Sequence, residues 1–95
     1  NIKIIDKIIF AYEPVWCIGS GKTPKKNDIR IQFKYIKKIL LKNFKTLNPT
    51  IIYGGSVDQN NAESLSQINE IKGFLIGGAS RKPNKFIDIV KKSIN

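Results

Sequence analysis

The sequence predicts an α/β fold of parallel strands: three βα units in a row, with the proportions of an incomplete (β/α)8 barrel rather than a whole fold. Three observations carry this prediction. A short apolar run, a glycine-bearing loop and an amphipathic segment recur three times along the chain. Each run is apolar at consecutive positions, the pattern of a strand covered on both faces. A complete barrel of eight units takes roughly 250 residues, so three units take roughly 94, and this chain has 95. Parallel strands joined by right-handed helical crossovers are the natural assembly of such units. The span 1–95 reads as one piece of structure with no second domain.

The first run is Lys7-Ile8-Ile9-Phe10-Ala11-Tyr12, ending at Glu13-Pro14. Proline cannot donate to a ladder, which puts Glu13 at the C-terminal tip of a strand. A loop follows from Val15 to about Asn27. Ile29, Phe33, Ile36 and Leu40 then recur at helical spacing, with Asn27 or Asp28 as the N-cap, and Asn48-Pro49 ends the unit. The second run, Thr50-Ile51-Ile52-Tyr53, closes on Gly54-Gly55-Ser56. Its helix is short, beginning near Asn60 or Asn61, with Glu63 in the first turn and Leu65 and Ile68 as its apolar residues. The third run, Gly73-Phe74-Leu75-Ile76, closes on Gly77-Gly78-Ala79-Ser80. Pro83 opens the last helix, whose apolar stripe is Phe86, Val90 and Ile94.

Composition narrows the function. With 41% hydrophobic and 25% charged residues, the chain is too apolar for disorder. No stretch approaches the roughly 18 apolar residues of a membrane span, and the opening residues lack a secretory pattern, so no membrane partner is expected. One cysteine, Cys17, cannot form an internal disulfide and fits a cytoplasmic setting. The absence of histidine excludes an imidazole base or a His-based metal site within these residues; neither a metal nor a cofactor is expected. A start at Asn1, with no methionine anywhere, leads to the expectation that the beginning of the natural chain is missing.

The net charge is +10, from fifteen lysines and two arginines against seven acids. Such a field attracts anions. Nucleic-acid binders interleave arginine and exposed aromatics with their charge, whereas these lysines spread along helical segments. A solvated helix surface is the simpler reading, and nucleic acid is not the expected partner. The run Gly19-Ser20-Gly21-Lys22-Thr23 also fails as a nucleotide motif. A P-loop needs glycine where Trp16 stands, and a dinucleotide fingerprint needs it where Pro24 stands.

Two kinds of residue do point to chemistry. Glu13, a carboxylate at a strand's C-terminal tip, lies where barrels of this type do catalysis. Apolar neighbours such as Tyr12 and Trp16 are expected to desolvate it and make it a stronger base. The Gly-Gly pairs after the second and third runs let backbone N–H groups approach an anion closely, and Ser56 adds a hydroxyl donor.

Three ordered blocks carry a resemblance. Ala11-Tyr12-Glu13-Pro14-Val15-Trp16-Cys17-Ile18-Gly19-Ser20-Gly21-Lys22-Thr23, Ile52-Tyr53-Gly54-Gly55-Ser56-Val57 and Gly73-Phe74-Leu75-Ile76-Gly77-Gly78-Ala79-Ser80 resemble the sixth, seventh and eighth strands of the triose-phosphate isomerase family and the loops that follow them. The match spans essentially the whole chain and implies the last three units of a TIM barrel. It implies that Glu13 is the catalytic base interconverting dihydroxyacetone phosphate and glyceraldehyde 3-phosphate in glycolysis and gluconeogenesis, a chemistry for which this enzyme is a standard example. It implies a phosphate site at Gly19, Ser56, Gly77 and Gly78. It also implies a lid hinged at Pro14, Val15 and Trp16 on one side and Lys22, Thr23 and Pro24 on the other.

The chain departs from the family at three positions in that lid: Cys17 and Pro24 replace alanine, and Ser20 replaces the common threonine. In the family, the tyrosine matching Tyr53 accepts a hydrogen bond from the backbone N–H at position 24 when the lid shuts. Pro24 has no N–H, so a weaker closed state is expected. The family's asparagine, lysine and histidine electrophiles and its dimer loop lie in the missing N-terminal barrel portion. The isolated chain is therefore expected to be inactive, with open sheet edges and an open apolar face. The resemblance leaves two alternatives: a half-enzyme complemented by a separate N-terminal fragment, or a residual phosphate- or RNA-binding module.

Overall fold

The computed structural model describes residues 7–15, 24–44 and 48–94. Two strands, β1 (Ile9–Tyr12) and β2 (Thr50–Tyr53), pair in parallel with Ile9 opposite Thr50 and Tyr12 opposite Tyr53. The helix α1 (Lys26–Asn43) makes the crossover between them. Its predicted stripe holds: Ile29, Phe33 and Leu40 are buried and Ile36 packs against them. Its start differs from the prediction. Lys25, extended at φ −64° and ψ 143°, is the N-cap, and the Ile29 N–H donates to the Lys25 carbonyl at 3.1 Å. Asp28 falls inside the first turn instead, where its charge faces the positive end of the helix dipole.

The third apolar run does not form a full strand among the described residues. Phe74 makes one parallel bridge to Tyr53. The N–H groups of Lys72 and Leu75 donate to the Ile51 and Tyr53 carbonyls, and the Tyr53 N–H donates to Gly73, each at 2.9 Å. Beyond Leu75 no ladder continues because β2 has already ended at Tyr53. The order β1, β2, third run nonetheless follows the chain.

Alternation splits the sheet into two unlike faces. Phe10, Tyr12, Ile51 and Tyr53 belong to the core with the buried stripe of α1. Tyr12 meets Phe33 edge-on with ring centroids 5.9 Å apart, and Phe33 meets Tyr53 at 6.4 Å. Ile9, Ala11, Ile52 and Leu75 occupy the other face, where Ile9 is 64% and Leu75 56% exposed. Side chains of that size are normally covered by a neighbouring layer.

The short helix α2 (Ala62–Ser66) buries Ala62 and Leu65, with Ile68 just beyond its end. Its entry is held by a reciprocal arrangement absent from the sequence reading. Asp58 Oδ1 accepts from the N–H groups of Asn60 and Asn61 at 2.7 and 3.0 Å, while Asn61 Oδ1 accepts from the Asp58 N–H at 2.8 Å. These bonds close a turn just ahead of the helix, and the Ala62 N–H donates to the Asp58 carbonyl at 3.1 Å. A 3₁₀ turn, Gly78–Arg81, then leads to α3 (Pro83–Ser93), with Pro83 at its first position as predicted.

The predicted core stripe of α3 is corrected. Ile89 is the buried residue, whereas Phe86, Val90 and Ile94 are exposed, Ile94 to 78%. The helix packs on α2, so the stripe turns toward an open groove of about 540 Å³ shared with Phe74, Leu75 and Ile76. Asp88 anchors α3: its carboxylate accepts from Gln59 Nε2 at 3.2 Å and pairs with Lys92 Nζ at 3.1 Å, and Lys92 also donates to the Gln59 carbonyl at 2.9 Å.

Two outcomes follow for stability. Phe33→Ala removes the ring that both tyrosines touch and should cost about 3–5 kcal/mol, read as a large drop in the urea midpoint by circular dichroism. The hydrogen bonds from Lys92 and Gln59 hold the Asp88 carboxyl below the usual aspartate value, so its stabilising contribution is present above about pH 3.9 and lost as the pH falls through the lowered folded value. The parent should therefore lose more of its urea midpoint between pH 5 and pH 2 than Asp88→Asn does; equal losses would refute the assignment.

Candidate functional site

β1 ends where Pro14 follows Glu13, and that boundary sets the site. Alternation places Glu13 on the uncovered face with Ile9 and Ala11. A Cβ built on Gly54 would lie 3.7 Å from the Glu13 Cβ and 3.8 Å from Leu75 Cδ2. Glu13, Gly54 and Leu75 thus form one row across the C-terminal end of the sheet. The Gly54 N–H donates to the Tyr12 carbonyl at 2.8 Å, which ties the two strand ends together. A side chain at 54 would stand in van der Waals contact with Glu13 and Leu75, and this neighbour of Glu13 was missed at the sequence level, although its Gly-Gly setting was visible.

Glu13 is exposed, and Trp16, one of the apolar neighbours expected to desolvate it, lies outside the described residues. Tyr12, one of the apolar neighbours invoked, faces the opposite side of the sheet and packs on Phe33. The described residues leave the carboxylate open to water.

The loops after β2 and after the third run leave the sheet at the same end. Ser56 follows Gly54 by two residues and is exposed; its carbonyl accepts from Asn61 Nδ2 at 2.9 Å. Gly77 follows Leu75 by two residues. Gly77 and Gly78 are both exposed, and a Cβ at either would meet nothing within 4 Å. Their backbone is therefore approachable. The Ser80 N–H and hydroxyl both donate to the Gly77 carbonyl, at 2.9 and 2.6 Å, fixing the turn. Gly55 has a different reason to be glycine: the Tyr53 ring fills the space its Cβ would need.

Of the predicted lid, Pro14 is buried, Val15 is 76% exposed and Pro24 is buried. Pro14 and Pro24 line one cavity of about 200 Å³ with Tyr12, Asp28 and Ile29, so both ends of that loop meet at the start of α1. Trp16, Lys22 and Thr23, with Cys17 and the predicted phosphate ligand Gly19, lie outside the described residues. Among the described residues no three His, Cys, Asp or Glu side chains cluster as metal ligands, and no helix is long and apolar enough to cross a membrane.

The family model described as triosephosphate isomerase matches residues 1–93. The chain is similar to the triosephosphate isomerase of Dictyoglomus thermophilum, 48% identical over 91 residues that make up 92% of this chain and 36% of that protein. It is 45% identical to the enzyme of that name from Mycoplasma mobile, over 96% of this chain and 36% of the relative. To that of Psychrobacter arcticus it is 45% identical over 88% of this chain and 32% of the relative. The chain spans about a third of the length of the curated relatives it matches, in their C-terminal portion.

The glycines separate by experiment. Gly55→Ala forces the Tyr53 ring to move and should cost about 1–3 kcal/mol. Gly78→Ala enters open space and should stay within about 0.5 kcal/mol of the parent. Urea unfolding of the two variants checks both values.

Proposed function

The chain belongs to the triosephosphate isomerase family, and from that premise we propose that it carries the proton-transferring base and part of the phosphate cradle of a site interconverting dihydroxyacetone phosphate and D-glyceraldehyde 3-phosphate. The observation that supports this most directly is the row Glu13–Gly54–Leu75. It sets a carboxylate at the same sheet end as the open backbone of Gly77 and Gly78. The Glu13 carboxylate takes the proton from one substrate carbon and returns it to the next. The backbone around Ser56, Gly77 and Gly78, joined by Gly19, holds the phosphate, so the reacting carbons are presented to Glu13 at fixed distance. The loop from Pro14 to Pro24, its ends gathered at the start of α1, closes over the substrate and excludes water.

The three units form part of a (β/α)8 barrel. The uncovered face bearing Ile9, Ile52 and Leu75 turns to the barrel's interior, and the remaining five units complete the site. These 95 residues contain no histidine, so the groups that polarise the substrate carbonyl come from that other portion, in an assembled homodimer working in cytoplasmic glycolysis and gluconeogenesis. Losing each such donor costs about 3–4 kcal/mol, and the 95-residue chain alone is nearly inactive.

The test is isomerase activity of the chain with and without a polypeptide supplying the first five βα units. Activity should appear only with both pieces, and robust turnover by the chain alone would reject the reading. In the complemented enzyme Glu13→Gln should lower kcat by about 10²–10⁴-fold with little change in KM. Pro24→Ala, which restores an N–H to the lid hinge, should release less of the intermediate as methylglyoxal; partitioning equal to the parent would show that Pro24 does not weaken closure.

A further inference from the structure

The outward side of α1 carries a pattern the core does not use, although its first residue, Ile31, also borders the cavity lined by Pro14 and Pro24. Ile31, Tyr35 and Ile39 follow one another at four-residue steps and are 54%, 60% and 40% exposed. Beside them Lys34, Lys38 and Lys42, all exposed, make a second row at the same steps. Each step rises about 6 Å along the helix, so the two rows run parallel for more than 10 Å. The buried stripe of Ile29, Phe33 and Leu40 lies on the opposite side of the helix, and the rows turn away from the sheet. Among the described residues no acid pairs with them: Asp28, in the first turn, is the only carboxylate of α1. Among the described residues the ion pairs are Arg30 with Glu70 and Lys92 with Asp88. The charge along this face is therefore uncompensated, in a chain of net charge +10.

We propose that this face of α1 docks on an anionic lipid surface, the lysine row meeting headgroup phosphates and Ile31, Tyr35 and Ile39 entering the interfacial layer. An anionic bilayer offers both complements side by side, negative charge and an apolar boundary, which is how amphipathic helices lie on membranes. Nucleic acid would satisfy the lysines and leave two isoleucines facing water; Arg30, one step before Lys34, is engaged by Glu70, and Tyr35 is the single aromatic among the exposed apolar residues of this face. The absence of a spanning segment, from which the sequence reading expected no membrane partner, has no bearing on surface docking. Nor does the inference depend on the proposed catalysis, since lipid binding is read without substrate.

Flotation of the 95-residue chain with vesicles tests it, because lipid-bound protein rises while aggregates sink. The chain should float with vesicles of phosphatidylcholine containing one-third phosphatidylglycerol and stay behind with phosphatidylcholine alone. Lys34→Glu/Lys38→Glu should weaken binding about tenfold or more. Ile31→Ser/Tyr35→Ser, which leaves the charge untouched, should weaken it several-fold. Circular dichroism should show both variants folded as the parent is. The control Lys82→Glu/Lys85→Glu changes the net charge equally at α3 and should leave binding as it was. Equal loss in that control would show a response to net charge alone and overturn the proposal. So would unchanged binding in the serine variant, or a preference for RNA over the anionic vesicles at equal phosphate concentration.

Discussion

The Phe33 ring, caught between Tyr12 and Tyr53, is the contact on which the rest of this chain depends. It joins one helix to both strands at once and fixes which face of the sheet α1 covers. With α1 docked there, alternation dictates that Ile9, Ala11 and Glu13 look the other way. The position of the carboxylate is thus set by three aromatic rings on the side of the sheet it does not occupy. Arg30 with Glu70, and Lys26 with Gln67 at 3.1 Å, add ties between α1 and the segment around the end of α2, but exposed contacts of this kind contribute little beside a buried ring.

The glycines of the two loops divide the same labour between packing and approach. At Gly55 the absence of a side chain makes room for Tyr53, a demand from inside the fold. At Gly77 and Gly78 nothing crowds the missing Cβ, and packing makes no demand for glycine there. Gly54 stands between, its N–H closing the strand ends and its α-carbon set where a Cβ would touch both Glu13 and Leu75. Identical dipeptides in the sequence thus serve unlike ends.

Much of this was legible in the residues. Three apolar runs, the α1 stripe and the breaking effect of Pro14 sufficed to place Glu13 at a strand tip, because each depends on local periodicity or on one residue's chemistry. What stayed hidden depends on partners. Phe86, Val90 and Ile94 have a helical period, but period alone does not say which neighbour α3 packs against, and its contact with α2 made Ile89 the buried residue. The third run is as apolar as the others, yet how far it pairs is set by where β2 stops. The Asp58–Asn61 reciprocity lies in a polar stretch with no periodicity to announce it. The exposure of Glu13 follows from Tyr12 turning toward Phe33, a choice of face that alternation fixes only once the helix is docked.

The parallel register joins positions far apart: Ile9 lies opposite Thr50 with α1 and both of its flanking loops between them. No hairpin can bring these strands together, so the chain must close a long loop before their first hydrogen bond repays the entropy. An 18-residue helix forms on a far shorter timescale and shortens the distance that remains to be closed. Its apolar side then offers Phe33 as the place where each strand lands. Strand closure is thus the costly step, and α1 eases it by shortening the span still to be joined as well as by covering the sheet.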